Sequence, residues 1–308
     1  MNISFRQLRL FLALAEHGSV GAAARVMHVT QPTASMQLRE VQDAAGLPLY
    51  TLVGRRVQLT EAGHALATTA RCMLDDWIDW EQQLAAWKGL TGGRLRVAVV
   101  STAKYFVPRL LGGFCARYPD IDIRLEVLNR DGVLQRLREQ RDDLAIMSMP
   151  PTDWALDDVV FLTNPLVLIG PGNHPLAGRT SLTLADVAGE RFILRERGSG
   201  TRMAVDAHFR AVGFQPQVRL ELGSNEAIKE AVAGGLGLSV LSAHTLHGRA
   251  REHGVQVWPV AGFPLAGQWH VVCRQVRALS PIARVFREHL LSQAERVAAD
   301  VAADAPTS

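Results

Sequence analysis

The sequence is poor in the features that mark a secreted, membrane-spanning or metal-dependent protein. Its three cysteines, Cys72, Cys115 and Cys273, are odd in number and far apart. Neither a disulfide framework nor a metal spacing follows, and reduced thiols in a cytoplasmic protein are the simplest reading. No apolar run is long enough to cross a bilayer. The opening "MNISFRQLRLFLALAEHGS" is interrupted by Arg6, Arg9 and Glu16 with no small-residue cleavage site after it, so it does not read as a signal peptide. Catalytic constellations are missing too. No nucleophile–base pair, metal spacing or phosphate-cradling loop is visible, the histidines (His64, His208 and His244 among them) are scattered, and "GGLG" at 234–237 ends a helix instead of opening one. The expectation is a chain that is not an enzyme, with no metal, no enzymatic cofactor and no membrane partner.

What is present suffices for sizeable cores: 48% hydrophobic residues over 308 positions, a length that implies two or three domains. The net charge of +3 hides a pattern. Residues 1–60 carry six arginines against Glu16, Glu40 and Asp43, whereas residues 61–88 carry Arg71 and Lys88 against five acidic residues. A basic head before an acidic helix suggests a polyanion partner at one end only, although charge runs are usually just solvated faces.

In the head, Phe5, Leu8, Phe11, Leu12 and Ala15 fall on one helical stripe that Gly18 stops. Ser19 suits an N-cap for a second helix with Val20, Ala23, Ala24 and Met27 inside. Thr30 caps a third helix, in which Pro32 is tolerated because first-turn amides lack intrahelical partners. Ala34, Leu38, Val41 and Ala45 form its inner face. The outer face is then Gln31, Pro32, Thr33, Ser35, Met36, Gln37 and Arg39, a mixture suited to base edges, thymine methyls and phosphates in a major groove. "LPLYTLVGRRVQLTEAG" reads as two short strands around Gly54, a wing that offers Arg55 and Arg56 to a backbone or minor groove. The competing reading is a small helical interaction domain with a polar face.

From Glu61 to Lys88, Leu66, Ala70, Met73, Trp77, Trp80, Leu84 and Trp87 recur at alternating steps of four and three, a heptad seam. Tryptophans each able to bury on the order of 200 Å² call for a covering helix, and self-association is the reading preferred over packing on the chain's own distal part. Gly89, Gly92 and Gly93 follow as a joint. Beyond them the pattern alternates strand and helix: strands "RLRVAVV", "IDIRLEV", "DLAIMS", "RFILRE", "QVRLEL" and "GLSVLS", helices from about Lys104 to Arg117 and near 131–140, 200–212 and 225–234, then "QWHVVCR" and a last helix returning to the first half. Two small parallel-sheet subdomains with a cleft between them are expected. Ligands of such sheets bind at strand ends, where helices start. Three junctions carry suitable donors for a small anion: Ser101-Thr102 with Lys104, Ser199-Gly200-Thr201 with Arg202, and Ser224-Asn225. Arg195 stands nearby and Arg130 at another strand end. Each hydroxyl could equally be a plain N-cap.

The stretches "FRQLRLFLALAEHGSVGAAARVMHVTQPTASMQL", "LPLY" and "GRRVQLTEAG" together resemble the LysR-type transcriptional regulators, over nearly the full chain. That resemblance implies a winged helix-turn-helix at 1–60, a dimerising linker helix at 61–90 and an effector-binding domain at 91–308. The last would be two Rossmann-like subdomains, about 91–163 plus 268–300 and 164–267, as in periplasmic binding proteins. It further implies a homotetramer on partly palindromic promoter DNA, with contacts carried by Gln31, Pro32, Thr33, Ser35 and Arg55 or Arg56. Two positions depart from the pattern: Met36 and Leu52 stand where the family often has arginine. "VSTAKYFVPRLLGGFCARYPDIDIRLEVLNRDGVLQRLREQRDDLAIMSMPP" is similar to the Calvin-cycle (RuBisCO operon) regulators, which implies an activator of carbon fixation responding to a sugar phosphate, phosphoenolpyruvate or NADPH. A regulator of another operon, or a cytoplasmic solute-binding protein, are the alternatives.

Overall fold

A computed structural model describes residues 2–53, 56–87, 93–246, 250, 254–275 and 279–302. The chain divides into two compact units, one of Met1–Leu90 with Glu139–Arg141, the other of Thr91–Arg138 with Asp142–Ser308.

The first unit begins with α1 (Phe5–His17), whose start is fixed by a capping box: the Gln7 amide donates to Ser4 Oγ and the Ser4 amide to Gln7 Oε1. Gly18, at φ +66°, ends it in the left-handed conformation glycine adopts without penalty. α2 (Val20–Val26) is capped by Ser19 and α3 (Gln31–Ala45) by Thr30, each side chain accepting a first-turn amide. Leu10, Phe11, Leu14, Ala23, Ala24, Ala34, Leu38 and Val41 make one core. The α1 stripe is wider than expected, and Phe5 is not part of it. Its ring is exposed, 5.7 Å from that of Trp77. A hairpin of β1 (Tyr50–Val53) and β2 (Arg56–Leu59) follows, then the 27-residue α4 (Glu61–Trp87). Gly54, Arg55, Gly89, Gly92 and the side chain of Trp87 lie outside the described residues.

In the second unit, β3 (Gly93–Val100) pairs in parallel with β4 (Ile121–Leu128) and β5 (Leu144–Met147), joined by α5 (Val107–Arg117) and α6 (Arg130–Arg138). The sheet is completed by β6 (Leu156–Thr163) and β12 (Gln268–Arg274) in the order β4-β3-β5-β12-β6. Here the expected parallel sheet is corrected to a mixed one: β12 returns from the other half and enters antiparallel to β5 and β6. The other half contains β7 (Leu166–Pro171), β8 (Arg191–Arg195), α7 (Gly200–Ala211), β9 (Gln217–Leu222), α8 (Asn225–Ala233), β10 (Ser239–Ser242) and β11 (Val255–Val257). β8 and β9 are parallel, while β7 lies antiparallel between β10 and β11. α9 (Pro281–Ala302) packs Ala283, Phe286, Leu290 and Val297 into the core of the first sheet. The halves meet where two crossing segments run side by side, the Asn164 amide donating to Gly267 O at 2.9 Å. The helix expected from Lys104 starts instead with a single 3₁₀ turn, Ala103–Tyr105, before α5. No described helix is long and apolar enough to cross a membrane.

Candidate functional site

α3 divides its residues sharply between inside and outside. Ala34, Leu38 and Val41 are buried, while Gln31, Pro32, Ser35, Met36 and Arg39 are exposed and Thr33 and Gln37 half-buried. Met36, at 56% exposure, leaves an apolar group on a polar face. Thr30 is occupied as the cap and shares a 2.8 Å hydrogen bond with Thr33 Oγ1, so it fixes the helix start more than it presents a free group. Arg56 is exposed at the start of β2.

The seam residues of α4 separate into two sets. Ala70 is fully buried beside Leu8 and Leu74, and Leu66 packs there half-buried. This stretch is spent on α1 and is closed to any partner helix, a departure from the continuous seam the spacing suggested. Met73, Trp77 and Trp80 remain about 45% exposed, with Trp77 and Trp80 rings 5.1 Å apart, and Leu84 is half-buried.

In the second unit, Ser101, Thr102, Arg130, Arg195, Ser199, Gly200 and Thr201 line one small cleft between the halves. Val100, Asn129 and Ser148 complete it. These three were missed from the sequence, although each sits at or just past the end of a parallel strand, so the strand-end rule applied to β3, β4 and β5 alike would have found them. The walls nearly touch. A Cβ on Gly200 would lie 2.7 Å from Ser148 Oγ, so glycine is what permits the approach. The space left is about 10 Å³, room for about one water.

Arg195 is 3% exposed and spends all five N–H donors inside the protein. Nε and Nη2 bind the Glu196 carboxylate at 2.7 and 2.9 Å, Nη2 also reaches Ser101 Oγ at 3.1 Å, and Nη1 reaches Asn225 Oδ1 at 2.8 Å and Thr102 Oγ1 at 3.4 Å. It therefore ties β8 and α8 to the end of β3 with its charge already balanced by Glu196. Asn225, buried behind it, donates to Thr102 Oγ1 at 3.4 Å. Two other cations are diverted from the cleft. Lys104 pairs with Glu226 at 3.0 Å, and Arg202 binds Asp206 at 2.9 Å and Glu221 at 2.8 Å. Arg130 is different. Its Nε donates to Met149 O at 2.9 Å, while its two terminal nitrogens have no partner among the described residues. Burial lowers its pKa, partly offset by Asp131, so the cost of holding this charge is real and an anion would relieve it.

The hydroxyls also sort themselves. Ser224 caps α8, accepting from the Ala227 amide at 3.3 Å. Ser199 precedes α7 without any side-chain cap bond, and Thr102 likewise does not cap the 3₁₀ turn. The first-turn amides of the 12-residue α7 lack intrahelical partners by geometry, and Gly200 and Thr201 of that turn line the cleft. At the cleft's edge, Glu226 accepts from Tyr105 Oη at 2.6 Å besides pairing with Lys104. Burial alone would raise the Glu226 pKa, but the bonds from Tyr105 and Lys104 outweigh it and hold the carboxyl down at about 2. Among the described residues no group of three or more His, Cys, Asp or Glu could hold a metal.

Residues 5–64 match the family profile described as bacterial regulatory helix-turn-helix protein, lysR family, and residues 88–295 that of the LysR substrate binding domain. Among curated proteins, the RuBisCO operon transcriptional regulator of Allochromatium vinosum is 42% identical over 297 residues, covering 96% of this chain and 98% of that one. The HTH-type transcriptional activator CmpR of Synechocystis is 40% identical over 296 residues, 96% and 97% of the two chains. Among solved structures, the regulatory domain of Synechocystis CcmR in complex with 2-PG is 44% identical with a TM-score of 0.63, covering 66% of this chain and 98% of that domain.

Proposed function

The chain belongs to the LysR family of bacterial transcriptional regulators, and from that premise we propose that it activates a carbon-fixation operon from promoter DNA in response to a small anion bound in the cleft. The proposal rests chiefly on the outer face of α3, which keeps hydrogen-bonding groups clear of the core beside a helix start capped by Thr30. Gln31, Pro32, Thr33, Ser35, Met36, Gln37 and Arg39 face the base edges, and Arg55 and Arg56 of the wing reach the backbone. The domain bounds are 1–60 for the winged head, 61–90 for the linker and 91–308 for the effector part. The exposed aromatic stretch of α4 joins two copies, and two such pairs form the tetramer.

In the cleft, Arg130 supplies the charge, while Ser148, Ser199, Thr102 and the α7 amides supply neutral donors. Arg195, Asn225, Lys104 and Arg202 act indirectly by holding the walls. A ligand such as the 2-PG named for CcmR needs more room than one water, so its binding parts the walls and changes how the halves meet. That differential affinity is what a regulator requires, since a ligand binding both states equally shifts nothing. Gel-shift titration with DNA upstream of RuBisCO genes is the test. Gln31→Ala or Ser35→Ala is expected to weaken specific binding by about 1–3 kcal/mol per lost base contact. Unchanged affinity and sequence preference in both variants would reject the α3 assignment.

A further inference from the structure

The outer face of α3 has an apolar summit. An α-helix turns about 100° per residue, so Met36, two residues from each of the buried Ala34 and Leu38, points almost directly away from the core. It is 56% exposed, and Pro32, one turn earlier on the same side, is exposed too. The polar side chains flanking this ridge are engaged elsewhere. Thr33 Oγ1 shares a 2.8 Å hydrogen bond with Thr30 Oγ1, and the Glu40 carboxylate accepts from Gln7 Nε2 of α1 at 2.8 Å.

A lone methionine on a surface that stays wet is ordinary. Met36 does not stay wet once α3 enters a major groove, because the side chain farthest from the helix's own core reaches deepest between the strands. There it meets base edges that have lost their water. A thioether is a weak acceptor and no donor. It cannot replace that water at guanine O6 and N7, at adenine N6 or at cytosine N4, and a group left unpaired there is costly. The one apolar group on the groove floor is the C5-methyl of thymine. Contact between that methyl and the flexible, polarisable end of methionine removes apolar surface from water on both sides.

We infer that Met36 is a specificity-determining residue, selecting a thymine through its methyl group at one position of each DNA half-site. This selection rests on α3 facing the groove, and it adds the base that α3 demands and the group by which that base is read.

Selection of duplexes from a randomised pool by the full chain, followed by gel-shift titration, tests it. The selected site is expected to hold a thymine whose replacement by uracil, which pairs alike and lacks only the methyl, weakens wild-type binding about fourfold per half-site, the effect of one buried methyl-sized group. Met36→Ala, too short to reach the methyl, is expected to bind the thymine and uracil duplexes alike, whereas Met36→Leu, still apolar at its end, keeps most of the difference. Met36 is exposed, so both variants are expected to keep the wild-type circular dichroism spectrum. A uracil effect that persists in full in Met36→Ala, or a wild-type site with no position sensitive to uracil, overturns the inference and leaves α3 in the groove. A pool that yields no enriched sequence overturns both.

Discussion

Removing the Glu226 carboxylate tests whether the closed cleft competes with ligand. Glu226 on α8 accepts from Tyr105 at 2.6 Å and pairs with Lys104 at 3.0 Å, so Glu226→Ala cuts both ties between the halves at the cleft's edge. A half-exposed ion pair is worth about 0.2–1 kcal/mol. A hydrogen bond to a charged acceptor is worth about 1.5–3 kcal/mol when dry, and here water recovers a good part of it because about half of the Glu226 side chain is exposed. Together the closed arrangement loses about 1.4 kcal/mol, roughly a tenfold change in its population relative to an open one. The closed cleft holds about 10 Å³, too little for any organic acid, so the apparent dissociation constant scales inversely with the open fraction. Glu226→Ala is therefore expected to tighten binding of the anion proposed for the cleft about tenfold, read by calorimetry with 2-PG as the probe, with a matching shift in the concentration that alters the gel-shift pattern. The sign carries the test. Weaker binding in a folded variant would mean that Tyr105, Lys104 and Glu226 stay joined around the ligand, and the reasoning from closure would be wrong.

Three further perturbations address other parts of the molecule. Gly200→Ala places a Cβ 2.7 Å from Ser148 Oγ; it is expected to abolish the ligand response while promoter binding without ligand stays within about twofold of wild type, and a normal response in gel shifts would displace the cleft assignment. Trp80→Glu puts a charge into the exposed aromatic stretch of α4 and is expected to split the assembly in sedimentation velocity runs; an intact oligomer would mean the partner helix lies elsewhere. His244 is buried between Phe106 and Trp269, with Nε2 2.9 Å from Thr163 O, and burial lowers its pKa despite that bond. A base with a depressed folded pKa contributes stability that is present above the unfolded value of about 6.5 and is lost as pH falls through the folded one. Melting temperatures of wild type are thus expected to drop more steeply below pH 6.5 than those of His244→Gln, with a slope of at most about 1.4 kcal/mol per pH unit from this group; parallel curves would refute it.

What could be read in the sequence was what depends on neighbours along the chain. Ser19, Thr30, Gly18 and the inner positions of α3 are local signals, and the outer face of α3 followed from them. The strand-end junctions were legible for the same reason, since a βα turn is a short-range object. What failed was partner choice across long separations. Lys104 and Glu226 are 122 residues apart and Arg195 and Ser101 94 apart, and no periodicity tells a lysine beside a hydroxyl that a glutamate on another helix will claim it. Counting cations near a junction therefore overstated the charge available to a ligand. Of Lys104, Arg130, Arg195 and Arg202, only Arg130 keeps terminal donors for the cleft, the other three being neutralised by Glu226, Glu196, Asp206 and Glu221. The same limit explains the α4 seam. A heptad pattern states which face is apolar but not what covers it, and α1 reached Leu66 and Ala70 before any second chain could. An apolar stripe continuing past the end of a neighbouring helix, at Met73, Trp77 and Trp80, is then the stretch with a reason to meet another copy, because these side chains stay about 45% exposed even with the ring of Phe5 beside Trp77.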